Sequence, residues 1–181
     1  MDMVTRTSWL EQGLEVLATD GVRALTIERL GAALGLSKGS FYHHFPGMPA
    51  FRTALLLHYE SAYTTRYIEA VDSVDDAPAD ARLRHLLDLV LAEDRATSPE
   101  VAVRSWALQD AEARATVERV DQARIDYLRG LWHAITGDET EATDMATLLY
   151  VVLIGSEQLL PPVETTQLRR LYARLFRLGS S

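Results

Sequence analysis

The sequence predicts an all-α protein, and three observations carry that expectation. Apolar residues recur at spacings of three and four in one segment after another, which lines them along single helix faces. The segments are punctuated by helix signals, with hydroxyl or carboxylate residues in front and glycine or proline behind. Finally, 48% of the 181 residues are hydrophobic, enough for a sizeable core and too many for a disordered chain.

The first helix is expected over residues 6–20, with Leu10, Leu14 and Leu17 on one face, Glu11 and Glu15 on the other, and Gly21 stopping it. Its work is to brace the pair that follows. Arg6 and Thr7 near its start either touch phosphates or are merely exposed terminal residues. The stretch LTIERLGAALGLSKGSFYHHF, residues 25–45, reads as two short helices joined by a tight turn. Thr26 caps the first of them, which buries Ile27, Leu30, Ala33 and Leu34 before Gly35 ends it. Leu36 plugs the joint. Ser37 caps the second helix, which runs from Lys38 to Phe45. On a wheel of 3.6 residues per turn, Phe41 and Phe45 point back at the core, while Gly39, Ser40 and His43 fall opposite and Tyr42 and His44 flank them. Such a face suits the major groove of B-DNA, where the N-terminal residues of a helix reach base edges and hydroxyls and cations hold phosphates. Gly39, without a side chain, lets the backbone approach closely.

Over about Leu10 to Phe45 these residues resemble the TetR family of bacterial transcriptional regulators. The resemblance rests on the apolar first helix, the Gly21 and Thr26 junction, Gly35-Leu36-Ser37 and the Gly-Ser-Phe-Tyr-His-His-Phe run. It implies a three-helix helix-turn-helix domain followed by a helical body that senses a ligand and dimerises. We therefore expect a DNA-binding domain over residues 1–47 and an effector-binding and dimerisation domain over 48–181. Together with the wheel, the resemblance puts Gly39, Ser40 and His43 nearest base edges and Thr26, Ser37, Lys38 and Tyr42 mainly on phosphates. One departure stands out. The family commonly has a lysine soon after the aromatic motif, where this chain reads Pro46-Gly47-Met48-Pro49.

After Pro46 and Pro49 one long helix is expected to about Asp72, carrying Phe51, Leu55, Ala62 and His58 inward. Tyr59, Tyr63 and Tyr67 form a drifting aromatic row that either lines a ligand cavity or is plain core. Asp75-Asp76-Ala77-Pro78 makes a loop, and the next helix buries Leu83, Leu86, Leu87, Val90 and Leu91 with His85 outward. Thr97-Ser98-Pro99-Glu100 opens the helix that carries Trp106. From about Asp110 to Thr136 a long helix sets Ala113, Val117, Val120, Tyr127, Leu131 and Ile135 in a stripe, with Arg124 in its middle. A guanidinium there must be paired or must line water. It is either held by an internal ion pair or backbone carbonyls, or it anchors an anionic or carbonyl-bearing effector. Tyr63, Tyr67, Trp106, Arg124 and Tyr127 are thus the candidate ligand-binding residues.

Gly137 closes that helix, and Asp138-Glu139-Thr140-Glu141 resembles a capping box. The helix that follows is apolar nearly all round, from Met145 through Leu148, Leu149, Val151, Val152, Leu153 and Ile154, and ends at Pro161-Pro162. The last helix sets Leu168, Leu171, Tyr172 and Leu175 on one face and Arg169, Arg170, Arg174 and Arg177 away from it. Two such helices per chain, at about residues 139–178, would form a four-helix homodimer interface, which is also where the resemblance puts the dimer contact.

Composition bounds the chemistry. There is no cysteine, hence neither a disulfide framework nor a thiolate metal site. His43 and His44 are adjacent and lack the spacing that lets two histidines share a metal. No phosphate-cradling loop or nucleophile elbow is present, so no cofactor, metal or enzymatic activity is expected. The start has no signal-peptide pattern, and the longest uncharged apolar run, Met145 to Ser156, is short of a bilayer span, so a soluble cytoplasmic protein is expected. Charge is the awkward feature: the net charge is −8, and residues 1–47 hold four cations against five carboxylates. Non-specific DNA affinity should be weak, and two copies should act together. The expectation is a ligand-responsive homodimeric repressor that binds a double-stranded DNA operator and is released by a small-molecule effector. The alternatives are a same-fold activator, a small-molecule-binding protein impaired in DNA binding, and, more remotely, a helical-bundle enzyme.

Overall fold

The computed structural model describes residues 5–74, 76–92 and 98–178, and every regular element in them is helical. The chain packs as two compact units, Met1–Tyr63 with Ala96–Glu118, and Thr64–Arg95 with Arg119–Ser181. Packing therefore draws its line elsewhere than the expected division of roles at residue 47.

In the first unit α1 spans Arg6–Asp20, as expected. Thr5 caps it through a reciprocal box with Ser8 that the sequence reading missed, and Gly21, at φ +79°, stops it. Leu10, Leu14 and Leu17 are buried, and so are Trp9 and Val16, which widen the apolar stripe. A single 3₁₀ turn, Val22–Ala24, leads to α2, Ile27–Leu34, capped by Thr26. Gly35 ends α2 in the left-handed region, at φ +67°, where a side chain would be strained. Ser37 caps α3, Lys38–His44; Phe45 lies one residue beyond, in extended backbone, yet is buried as expected.

One expectation about α2 fails. Leu30 is fully buried and Ile27 and Leu34 are half-buried, but Ala33 is exposed. The inward position is Gly31, whose carbonyl accepts the Leu36 N–H at 2.8 Å. An eight-residue helix makes little more than two turns, so its apolar wheel leaves the edge of the buried arc open. The Leu36 joint covers the Gly31 side instead.

α4 spans Met48–Glu60, and α1 packs on α2, α4 and α7, the last being Glu100–Ala107. Phe41, Phe45, Phe51 and Trp9 form one aromatic cluster, with Trp9 edge-on to Phe41 at 5.4 Å and Phe45 edge-on to Phe51 at 5.0 Å. Edge-to-face pairs of this kind add about 0.5–1.5 kcal/mol each to the burial itself. They lock α3 onto α1 and α4. Deeper in this unit, the Tyr59 hydroxyl donates to Glu100 at 2.5 Å, and Arg104 binds the other carboxylate oxygen at 2.7 Å. Glu100 is buried, and these two bonds offset part of the cost of burying its carboxylate.

The expected single helix over 48–72 is interrupted. Ser61–Thr65 is a π-helical turn, after which α5 runs Arg66–Asp72. Ala62 and His58 are half-buried. In the second unit α6 is Ala79–Ala92, with Leu83 and Leu91 buried, Leu86, Leu87 and Val90 half-buried and His85 outward. α8 runs Ala111–Thr136, α9 Glu139–Gln158 and α10 Thr165–Leu178. Leu83, Leu91, Leu131, Trp132, Ala142, Leu149, Leu168 and Tyr172 make this unit's core. Asp138 caps α9 by accepting from the amides of Thr140 and Glu141. The α9 face bearing Leu148 and Val151 stays open to solvent, at 41% and 58% exposure. Asp75 and Thr97, which the sequence reading assigned to a loop and a helix cap, lie outside the described residues. No helix among the described residues is long and apolar enough to cross a membrane.

Candidate nucleic-acid interface

The helix-turn-helix is built from local signals upward. Thr26 Oγ1 accepts from the Arg29 amide at 3.2 Å and Ser37 Oγ from the Ser40 amide at 3.4 Å, so two hydroxyls fix where α2 and α3 begin. Gly31 and Gly35 set the joint between them. With Phe41 and Phe45 inside, α3 turns Lys38, Gly39, Tyr42 and His43 to solvent, with Ser40 and His44 half-exposed. Tyr42 is 56% exposed, an unusual position for a large aromatic that packing does not require. Of the seven residues singled out in the sequence, Ser37, Lys38, Gly39, Ser40, Tyr42 and His43 lie on the joint and the outward side of α3, and Thr26 lies at the head of α2.

Three of the four cations in residues 1–47 are not free arms. Lys38 Nζ lies 2.5 Å from Glu28 Oε1, joining the first turns of α2 and α3. The pair favours the charged form of both groups: the hydrogen bond from Lys38 lowers the Glu28 pKa, and the one to Glu28 raises that of Lys38. Arg29 donates through Nε and Nη2 to one oxygen of Asp20, at 3.1 and 2.9 Å. Arg6 lies over the Phe45 ring, 5.0 Å from its centroid. None of these partnerships was legible in the sequence, because each joins residues whose proximity the fold creates.

The candidate ligand residues divide between the two units. Tyr63 belongs to the first unit, where it stacks on the buried Tyr59 at 5.6 Å, and Trp106 is buried in the same unit. Tyr67, in the second unit, is half-buried under the guanidinium of Arg66, 5.0 Å from its ring centroid. Arg124 is held as its mid-stripe position demands, with hydroxyls among its partners. Its Nε donates to Thr64 at 3.0 Å and its Nη1 to the Tyr150 hydroxyl at 3.2 Å, while Tyr150 in turn donates to Asp121 at 2.6 Å. Thr64 lies in the π turn and is buried, so this network ties the turn to α8 and α9. Tyr127 makes a separate cluster, donating to Asp72 at 2.6 Å and accepting from Arg82 at 3.4 Å; Asp72 and Arg82 also pair directly. Burial first, and the bond to Asp72 next, push the Tyr127 phenol up to about 12. An open cleft of about 540 Å³ lies in the second unit between Leu87 and Asp88 of α6 and Arg169, Ala173 and Phe176 of α10. None of the five candidate residues lines it. Among the described residues no group of three His, Asp or Glu side chains is placed to hold a metal.

Residues 10–55 match the family model of bacterial regulatory proteins, tetR family. No curated protein matches the chain. Among solved structures, it is similar to a protein assigned as a transcriptional regulator from Saccharomonospora viridis, in complex with choline. That match has a TM-score of 0.80 and 18% identity, over 95% of each chain. A TetR transcription regulator from Haloarcula marismortui aligns with a TM-score of 0.75 and 16% identity, over 97% of this chain and 96% of that one. The multidrug binding protein EbrR, complexed with imidazole, aligns with a TM-score of 0.61 and 21% identity over 96% of each chain. At these identities the structural likeness speaks to fold, and the sequence match speaks to the helix-turn-helix. Residues 10–55 thus match the model of the tetR family of bacterial regulatory proteins, on a chain whose fold is similar to that of a solved TetR transcription regulator.

Proposed function

We propose that the chain is a ligand-responsive DNA-binding transcriptional regulator, a homodimeric repressor that a small-molecule effector releases from its operator. The observation that carries this reading is the outward side of α3, where Lys38, Gly39, Ser40, Tyr42 and His43 are offered to solvent opposite a buried aromatic face. In this reading Gly39, Ser40 and His43 meet base edges in the major groove, and Thr26, Ser37, Lys38 and Tyr42 hold phosphates. Residues 1–47 act as the reader and 48–181 as the effector-binding and dimerisation body, in the cytoplasm.

Two exposed aliphatic side chains on one face of α9, Leu148 and Val151, support a dimer through the helices at 139–178. Dimerisation would set two readers on half-sites about 34 Å apart. The choline and imidazole held by the similar structures support a small organic effector in the body. Effector binding would shift the population toward a spacing of readers that no longer fits, with the helix from Met48 as lever.

Binding of the purified protein to the DNA flanking its own gene tests this, at low and moderate salt and against a scrambled duplex. Selective binding with a steep salt slope supports the regulator; equal or absent binding on both duplexes refutes it. The second outcome would favour the runner-up, a same-fold protein impaired in DNA binding. The pairing of Lys38 with Glu28 and the acidic balance of the reader speak for that runner-up.

A further inference from the structure

We propose that Glu28 sets the selectivity of the reader, as an intramolecular carboxylate that occupies Lys38 and holds down its attraction to the phosphates of any duplex. The inference rests on the DNA-binding reading above. Its ground is geometry: Glu28 stands in the first turn of α2, Lys38 opens α3, and the two meet at 2.5 Å with both side chains 64% exposed. An ion pair that open to water contributes little to the fold. It is placed instead where a duplex would approach.

The consequence follows from counting anions. A free lysine that meets a phosphate displaces condensed counterions from DNA, and that release drives non-specific binding. Lys38 has to give up a carboxylate to take a phosphate, so little is gained, and the displaced Glu28 is left facing a polyanion. The same arrangement recurs beside it. Arg29 is occupied by Asp20 and Arg6 by the Phe45 ring, so among the described residues three of this region's four cations already have partners within the chain. A correct operator compensates through base-edge and hydroxyl contacts made at once by two readers; a random duplex does not. Glu28 thus weakens the wrong complexes more than the right one. A carboxylate in the first turn of a helix also favours the helix itself, so stability alone cannot distinguish the two roles.

The test compares Glu28→Gln with wild type and with Glu118→Gln, which makes the same change of net charge at an exposed site on α8. Each is titrated onto a random-sequence duplex and onto the DNA flanking the gene, across a salt series. For Glu28→Gln we expect random-duplex affinity to rise about tenfold at low salt and the salt slope to steepen by about one. Affinity for the flanking DNA should rise less, so that the selectivity ratio narrows, and Glu118→Gln should change neither duplex by more than about twofold. Without DNA, the Lys38 amine should acylate faster in Glu28→Gln, because the pair keeps it protonated. If Glu28→Gln leaves the random-duplex affinity and slope unchanged, or Glu118→Gln moves them equally, the proposal is overturned while selective wild-type binding keeps the regulator reading intact. If no variant binds any duplex, the regulator reading fails and this inference falls with it, whatever the acylation rates.

Discussion

Gly31→Ala changes one hydrogen for a methyl group, and the structure decides its sign. In an ordinary helix interior the change stabilises by about 1 kcal/mol, because glycine loses more backbone freedom on folding. At residue 31 the new Cβ would lie 2.8 Å from the Leu36 carbonyl oxygen, where ordinary contact begins at 3.4 Å. The obstacle is backbone, so no rotamer change relieves it. The joint between α2 and α3 must give, which costs about 1–3 kcal/mol on the scale of an overpacked core. The 2.8 Å bond from the Leu36 amide to the Gly31 carbonyl, itself worth about 1 kcal/mol, is strained with it. The net expectation is destabilisation by about 1–2 kcal/mol. Gly130, exposed on α8, has nothing within 4 Å of its built Cβ, so Gly130→Ala should stabilise by up to about 1 kcal/mol. Urea midpoints at an unchanged slope would read both. A Gly31→Ala protein as stable as wild type would refute the reasoning. In the regulator reading the same variant should also bind every duplex more weakly, since α3 is displaced as a body.

Further outcomes follow from the site and the packing. Tyr42→Ala should weaken binding similarly on operator and unrelated DNA, whereas Ser40→Ala or His43→Ala should change the order of preference among operator variants. A retardation series distinguishes them, and full operator affinity in Tyr42→Ala would remove the phosphate-holding role. Arg124→Met strips Thr64 and Tyr150 of a donor and should cost about 1–3 kcal/mol in urea unfolding. His58 is held below its usual pKa by burial first and by Arg6 next, against the pull of Glu11. The unfolded chain then takes up its proton near pH 6.5 and the folded one only lower, so His58 contributes stability above that range and loses it as pH falls. His58→Gln should flatten the decline in urea midpoint between about pH 7 and pH 5.

Much of what was local in the chain could be read without the fold, although the Thr5–Ser8 box was not. The limits of α1, the Thr26 and Ser37 caps, the Gly35 stop, the aromatic inside of α3 and the Asp138 cap all depend on residues within about four positions of one another. Helical spacing makes those neighbours in space whatever the tertiary structure. The same reach is why Ser37 to His43 could be named together as one candidate DNA face. It is one helix and the joint before it.

What needed the tertiary structure was everything decided by residues far apart in the chain. Tyr59 finds Glu100 across 41 positions and Arg124 finds Thr64 across 60, so the aromatic row and the mid-stripe arginine could be flagged but not given their partners. The π turn at Ser61–Thr65 leaves no mark on a pattern read at 3.6 residues per turn. Gly31 and Ala33 flank the apolar arc of α2 on opposite edges, and only the Leu36 joint decides which edge is covered. Lys38 is the plainest case. Its place at the head of α3 was legible from a serine cap and a helical period, but its occupation by Glu28 depends on how α2 and α3 meet. A carboxylate ten residues away becomes a neighbour only when the turn between them closes.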